Sequence, residues 1–150
     1  MTHPFYQFTS SVEALRYEFI SVGKQSIPKV VIFTMTELPG IYSLTLANLL
    51  PDGSLDDMTI NDNGDMETIL ATVLQCMNTF LDQNPEAIIA FSGSSMARTR
   101  LYRIAIAREL EEATSRFNIW GLTQEAVEPF TPNKAYEGFL ISLKSVNIVQ

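Results

Sequence analysis

The chain has 150 residues, with seventeen Asp and Glu against ten Lys and Arg, for a formal net charge of −7. That length fits one domain spanning residues 1–150, and a hydrophobic fraction of 46% excludes a disordered chain. The acidic balance argues against nucleic acid as a partner, because the summed field repels a polyanion. One cysteine, Cys76, leaves no disulfide within the chain and no cysteine-based metal cluster. The opening MTHPFYQFTSSVEAL has no apolar h-region, and no apolar run reaches the length of a membrane span. The expected location is therefore cytoplasmic, with no membrane partner.

The first third reads as strands. Leu15, Tyr17 and Phe19 alternate with Arg16 and Glu18 at period two, and residues 23–28 supply turn chemistry. Residues 29–35 are rich in β-branched and aromatic side chains, and Leu38-Pro39-Gly40 breaks the pattern. Tyr42, Leu44 and Leu46 then alternate with Ser43, Thr45 and Ala47. Pro51-Asp52-Gly53 is a turn signal, followed by a shorter fourth strand over residues 55–60. The four segments predict an antiparallel meander with one solvated face.

The period then changes. Met66, Ile69, Leu70, Val73, Met77, Phe80 and Leu81 follow helical spacing. Asn63-Gly64-Asp65 supplies capping chemistry at the start, and Asn84-Pro85 stops the helix. Residues 87–91 predict a short buried strand. A second helix runs from Met96 to about Ser115 with a wide apolar arc of Leu101, Tyr102, Ile104, Ala105, Ile106 and Leu110, which should be well covered. Residues 118–122 and 136–143 predict two closing strands, with Trp120 in the core. The class is α+β, in the order ββββ-α-β-α-ββ: a meander, a βαβ unit, a closing hairpin, and two helices packed on one sheet. In such a unit the fourth and fifth strands run parallel, so the loops leaving them share one sheet edge, where open α/β sheets place ligands.

The loop Ser92, Gly93, Ser94 and Ser95 is the sharper of the two. Small residues let backbone N–H groups approach an anion, and a helix N-terminus adds a favourable dipole. Arg98, Arg100 and Arg103 follow within the first turns, where cations oppose the dipole at about 0.3–1 kcal/mol each. Two neutralisers fit. One is the neighbouring pair of carboxylates, Asp62 and Asp65, which needs no ligand. The other is a bound phosphate or carboxylate, which makes the 92–95 loop with Arg98, Arg100 and Arg103 a candidate anion site.

Several other chemistries fail on spacing. A P-loop needs a lysine that this segment lacks, and a dinucleotide fingerprint needs more than Gly93. Placing Gly64 sixth in a calcium loop puts Thr59 first and Leu70 twelfth, where Asp and Glu are required. His3 is the sole histidine, which argues against a Ser-His-Asp triad or a multi-histidine zinc site. Cys76 lies on the apolar stripe of the first helix and reads as an inert thiol. Lys29 and Lys134 read as isolated, solvated charges. No catalytic constellation, resident metal or cofactor is expected.

Segments along nearly the whole chain carry a resemblance. They are Asp62-Asn63-Gly64-Asp65, Ile69-Leu70-Ala71-Thr72-Val73, the run from Gly93 to Tyr102 with its Arg98-Thr99-Arg100-Leu101-Tyr102 core, residues 117–121, and Tyr136-Glu137-Gly138-Phe139-Leu140. Together they resemble the bacterial domain-of-unknown-function family 6934. The hairpin turn Gly23-Lys24-Gln25-Ser26 is less rich in glycine and lysine than the resemblance implies, and the final strand ends in Leu143-Lys144 where the resemblance implies two basic residues. The resemblance brings no activity, cofactor or catalytic residue, but implies that the 61–65 and 92–95 loops are family traits.

Three functions stay open on these grounds. The first is a binding or interaction module acting through a protein partner or as a homodimer. The second is a protein that binds a phosphate-bearing ligand, a nucleotide or a nucleic-acid end at Ser94, Ser95, Arg98 and Arg100. The third is an enzyme using Asp62 or Asp65 with those arginines.

Overall fold

A computed structural model of the chain describes residues 4–11, 13–57, 63–93, 95–109 and 115–146. Asp62, Ser94 and His3, singled out above, lie outside these described residues, as do residues 58–60 of the fourth expected strand. The described elements are β1 (Thr9–Ser10), β2 (Arg16–Val22), β3 (Ser26–Met35), β4 (Ile41–Leu49), β5 (Leu55–Asp56), α1 (Met66–Gln83), β6 (Ile88–Phe91), α2 (Met96–Arg108), β7 (Phe117–Leu122), β8 (Val127–Pro129) and β9 (Gly138–Leu143). The architecture is α+β, with two helices on one mostly antiparallel sheet. The strand order is β1-β2-β3-β4-β6-β9-β7-β8, with β5 paired separately to β4.

The meander over β2, β3 and β4 forms as the alternation requires. In β2 the buried positions are Tyr17, Phe19 and Ser21, while Glu18, Ile20 and Val22 face out. Register pairs Tyr17 with Val31, Val31 with Leu46, and Phe33 with Leu44, so these side chains share the core face. Across the second half, Ile89 pairs with Ile141 and Ile141 with Ile119, while Phe91 pairs with Phe139. The core cluster joins all of these to α1 (Ile69, Val73, Phe80) and α2 (Tyr102, Ala105, Ile106). Phe33 stacks on Phe80 at 4.2 Å and 12°, a contact worth about 0.5–1.5 kcal/mol beyond burial alone.

The crossover differs from the expectation. The parallel neighbour of β6 is β4, in the register Ile41↔Ile88 to Ser43↔Ala90. The expected fourth strand, as far as it is described, is the two-residue β5, which pairs antiparallel with Asn48 and Leu49 at the other end of β4. The parallel pair therefore brackets both β5 and α1. β9 enters between β6 and β7, so the chain's last described strand is central. Sequence pattern is blind to this, because an inserted strand and an edge strand alternate alike when one face is buried.

Three further expectations are corrected. Asp65 occupies the N-cap position of α1 but makes no side-chain cap hydrogen bond. Ile104 is 42% exposed, so the apolar arc of α2 is narrower than expected; it buries Tyr102, Ala105 and Ile106. Trp120 is only half-buried, because β7 alternates and Trp120 falls on the face away from Phe117 and Ile119.

Candidate functional site

β4 is nine residues long, yet β6 pairs with its first three residues and β5 with its last two. A cavity of about 350 Å³ opens over the stretch between them, lined by Leu44, Thr45, Leu46, Ala47 and Asn48. Its roof is the first turn of α1 (Met66, Ile69, Leu70) and the first two turns of α2 (Ala97, Arg98, Leu101, Tyr102). Ser92, Gly93 and Ser95 close one side, Asp56 and Asp57 another, and Lys29 reaches it from β3. The volume and the mixture of apolar wall with a few polar groups suit a small organic molecule.

The 92–95 loop is held against the helix it precedes. Ser95 is the N-cap of α2 and its side chain accepts from the Arg98 backbone N–H at 3.2 Å. Gly93 N–H donates to Thr99 Oγ1 at 3.0 Å, and Thr99 Oγ1 lies 3.0 Å from the Ser95 carbonyl. A Cβ on Gly93 would stand 2.4 Å from Arg98 Cβ and from Thr99 N, so only glycine permits this approach.

Arg98 is the arginine of the set that lines the cavity. Its Nη1 donates to the Asp57 backbone carbonyl at 2.7 Å, tying α2 to the end of β5. Arg100 is exposed and Arg103 half-buried, and neither is among the described residues lining the cavity. At the far end of α2, Arg108 meets Glu67 at 2.9 Å, pairing the last turn of α2 with the first turn of α1. Each charge there suits its helix dipole.

Asp65 has a different task from the one expected of it. Its Oδ2 lies 2.5 Å from both the Tyr6 and the Ser21 hydroxyls, rather than on an arginine. Tyr6 Oη also accepts from the Val22 N–H at 3.0 Å. Asn63, itself buried, donates to Ser21 Oγ at 2.9 Å and accepts from the Gln25 N–H at 2.7 Å. The loop before α1 is thus sewn to the β2–β3 hairpin and to the N-terminal segment. Burial, then the Asp65 hydrogen bond, raises the Tyr6 hydroxyl above its usual value.

Lys29 is the residue that sequence reasoning missed. It is only 8% exposed and is not a solvated charge. Its Nζ donates to Asn48 Oδ1 at 2.6 Å, and Asn48 faces it directly across β3 and β4. Desolvation lowers its pKa; Asp65 and Asp56 oppose the shift and Arg98 adds to it. A signal was available. Lys29 is in phase with Val31 and Phe33, and period two assigns all three to the core face. Lys134, by contrast, is exposed and bridges to Glu128 at 2.7 Å. Cys76 is fully buried and its thiol is pushed up to about 12 by that burial, which makes it inert. No group of three or more His, Cys, Asp or Glu among the described residues could hold a metal ion. No helix among them is long and apolar enough to cross a membrane.

Residues 2–144 match the model of a family of unknown function, DUF6934. The chain belongs to that family. The cavity, the Gly93–Thr99 clasp and the Asp65 network of this DUF6934 member all fall within the matched residues. No curated protein and no solved structure matches the chain.

Proposed function

We propose that this protein is a small-molecule binding module whose ligand joins a compact apolar body to an anionic group. One observation carries the reading: Lys29 and Arg98 both line a cavity whose wall combines aliphatic side chains with uncharged polar groups and the carboxylates Asp56 and Asp57, in a protein of net charge −7. Leu44, Leu46, Ile69, Leu70 and Leu101 suit the apolar body. A carboxylate or phosphate between the two cations would meet a low-dielectric surrounding, where charge-assisted hydrogen bonds are strong. Asp57 is exposed at the mouth, so its carboxylate is screened by solvent. This narrows the anion-site expectation to Ser92, Gly93, Ser95 and Arg98 and adds Lys29 and Asn48. The free, buried Cys76 suits a reducing compartment and supports a cytoplasmic setting.

Thermal unfolding in a panel of small carboxylates and phosphates tests the reading. A member of the panel should raise the melting temperature, and Arg98→Gln should abolish the rise while Arg100→Gln leaves it intact. No shift across the panel, or equal loss in both variants, would refute it.

A further inference from the structure

A lysine in the wall of a cavity is unusual for its cost. An ammonium loses hydration there, and the same site favours the neutral amine, which is a nucleophile. The chain has four lysines, and Lys24, Lys134 and Lys144 are exposed. Lys29 is 8% exposed, lines the cavity, and has its Nζ fixed by Asn48 Oδ1 at 2.6 Å. Arg98 lines the same cavity from α2, and the Gly93–Thr99 and Ser95 contacts hold the start of that helix in place.

We infer that Lys29 is a covalent capture residue, condensing with the carbonyl carbon of a small aldehyde or ketone whose carboxylate or phosphate is held by Arg98. This rests on the binding reading above and deepens it by naming the ligand's reactive group. Two conditions activate an amine for this chemistry, removal from water and a neighbouring cation; Lys29 is buried, and Arg98 lies in the same cavity wall. Burial and the Arg98 charge each act to lower its pKa, against the opposing pull of Asp65 and Asp56. The step balances without an oxidant or reductant. The Lys29 lone pair forms the C–N bond as the carbonyl π pair moves to oxygen. Nitrogen yields its two protons to that oxygen, the C–O bond breaks, and water leaves behind a neutral imine.

The probe is 4-formylbenzoate, which combines a carboxylate, an apolar ring and an aldehyde, with cyanoborohydride present to trap the imine as an amine. Peptide mapping of the wild-type chain should place the label on Lys29. Its initial rate should exceed that of each exposed lysine by roughly tenfold or more, since Arg98 in the same cavity wall holds the probe's carboxylate and so places the aldehyde beside the amine. Excess benzoate should suppress the label, as should Arg98→Gln, and Lys29→Arg should leave only slow labelling of the other three. Because the readout is the wild-type map, a poorly folding variant does not remove the test. If benzoate raises the melting temperature but the four lysines label alike, or Lys29 stays unmodified, covalent capture is wrong and the binding reading survives. If benzoate gives no shift and Lys29 no label, both fall.

Discussion

Lys29 and Asn48 stand directly opposite each other on β3 and β4, and the lysine ammonium donates to the asparagine carbonyl at 2.6 Å on the buried side of the sheet. The pair explains how a charge is tolerated among Phe19, Val31 and Leu46. Asn48 replaces part of the hydration that burial removes, at a site the sheet register dictates.

Removing the acceptor should therefore cost more than removing the charge. Asn48→Ala should destabilise the fold by about 1–3 kcal/mol, the penalty for depriving a buried donor of a partner. Lys29→Met has similar volume and removes the buried charge, but it takes this donor from the buried Asn48 carbonyl, so it should cost less than Asn48→Ala rather than nothing. In the double variant the Asn48→Ala cost should largely vanish. Urea unfolding of the four proteins closes the cycle; additive losses would show that the two side chains are not coupled.

Gly93→Ala should be disruptive out of proportion to one methyl group. The added Cβ would collide with Arg98 Cβ and Thr99 N, so the loop must lift from α2. We expect a loss of about 1–3 kcal/mol, typical of overpacking. Thr99→Val keeps the shape but removes the acceptor for Gly93 N–H, and should cost about 1 kcal/mol. Melting curves would decide both; an unchanged Gly93→Ala curve would contradict the close approach.

The Tyr6–Asp65–Ser21 cluster should behave as a unit. Tyr6→Phe and Ser21→Ala each remove one hydroxyl from Asp65 Oδ2, and each should cost about 0.5–1.5 kcal/mol. Both act on one carboxylate oxygen, so the double variant should depart from the sum of the two. Chemical denaturation measures this directly, and strict additivity would argue that the cluster is incidental.

The alkaline limb of stability should be set by buried acids that the fold keeps neutral. Cys76 is raised from 9.0 to about 12 and Tyr17 from 10.0 to about 12, each chiefly by burial. A raised folded pKa means the unfolded chain loses its proton first. Stability from these groups is thus complete below about pH 9 and declines as pH climbs toward 12. Lys29 acts in the opposite sense, because its folded pKa is lowered: stability gains as pH rises from that value to the ordinary 10.5. Cys76→Ala should flatten the early part of the decline, whatever it costs at neutral pH. Unfolding free energies between pH 8 and 11 would check it, and parallel wild-type and variant profiles would overturn the assignment.

Local pattern along the chain accounts for the α+β class, for β2 to β4, for both helices and for most of the apolar core, but it misplaced Trp120 and Lys29 and held no sign of β1 or β8. Period two in β2 and β4, and helical spacing from Met66 to Leu81, are local patterns that burial on one face imposes residue by residue. Asn84-Pro85 stops α1 for an equally local reason, since proline cannot continue the ladder. The Ser92-Gly93 turn before α2 was legible too, as was Arg98 within its first turn. The tertiary structure alone decided the pairing: β6 alongside the start of β4, β5 alongside its end, and β9 between β6 and β7. Hydrogen bonds between strands read backbone position and carry no side-chain code, so a one-dimensional pattern cannot choose among neighbours. The cavity is a product of that choice. Lys29 and Arg98 are separated by most of the chain's first hundred residues, and they line one space only because β4 keeps β5 and β6 apart. Asp65 looked like a partner for arginine by its charge, yet the N-terminal segment brings Tyr6 to it and the β2–β3 hairpin brings Ser21.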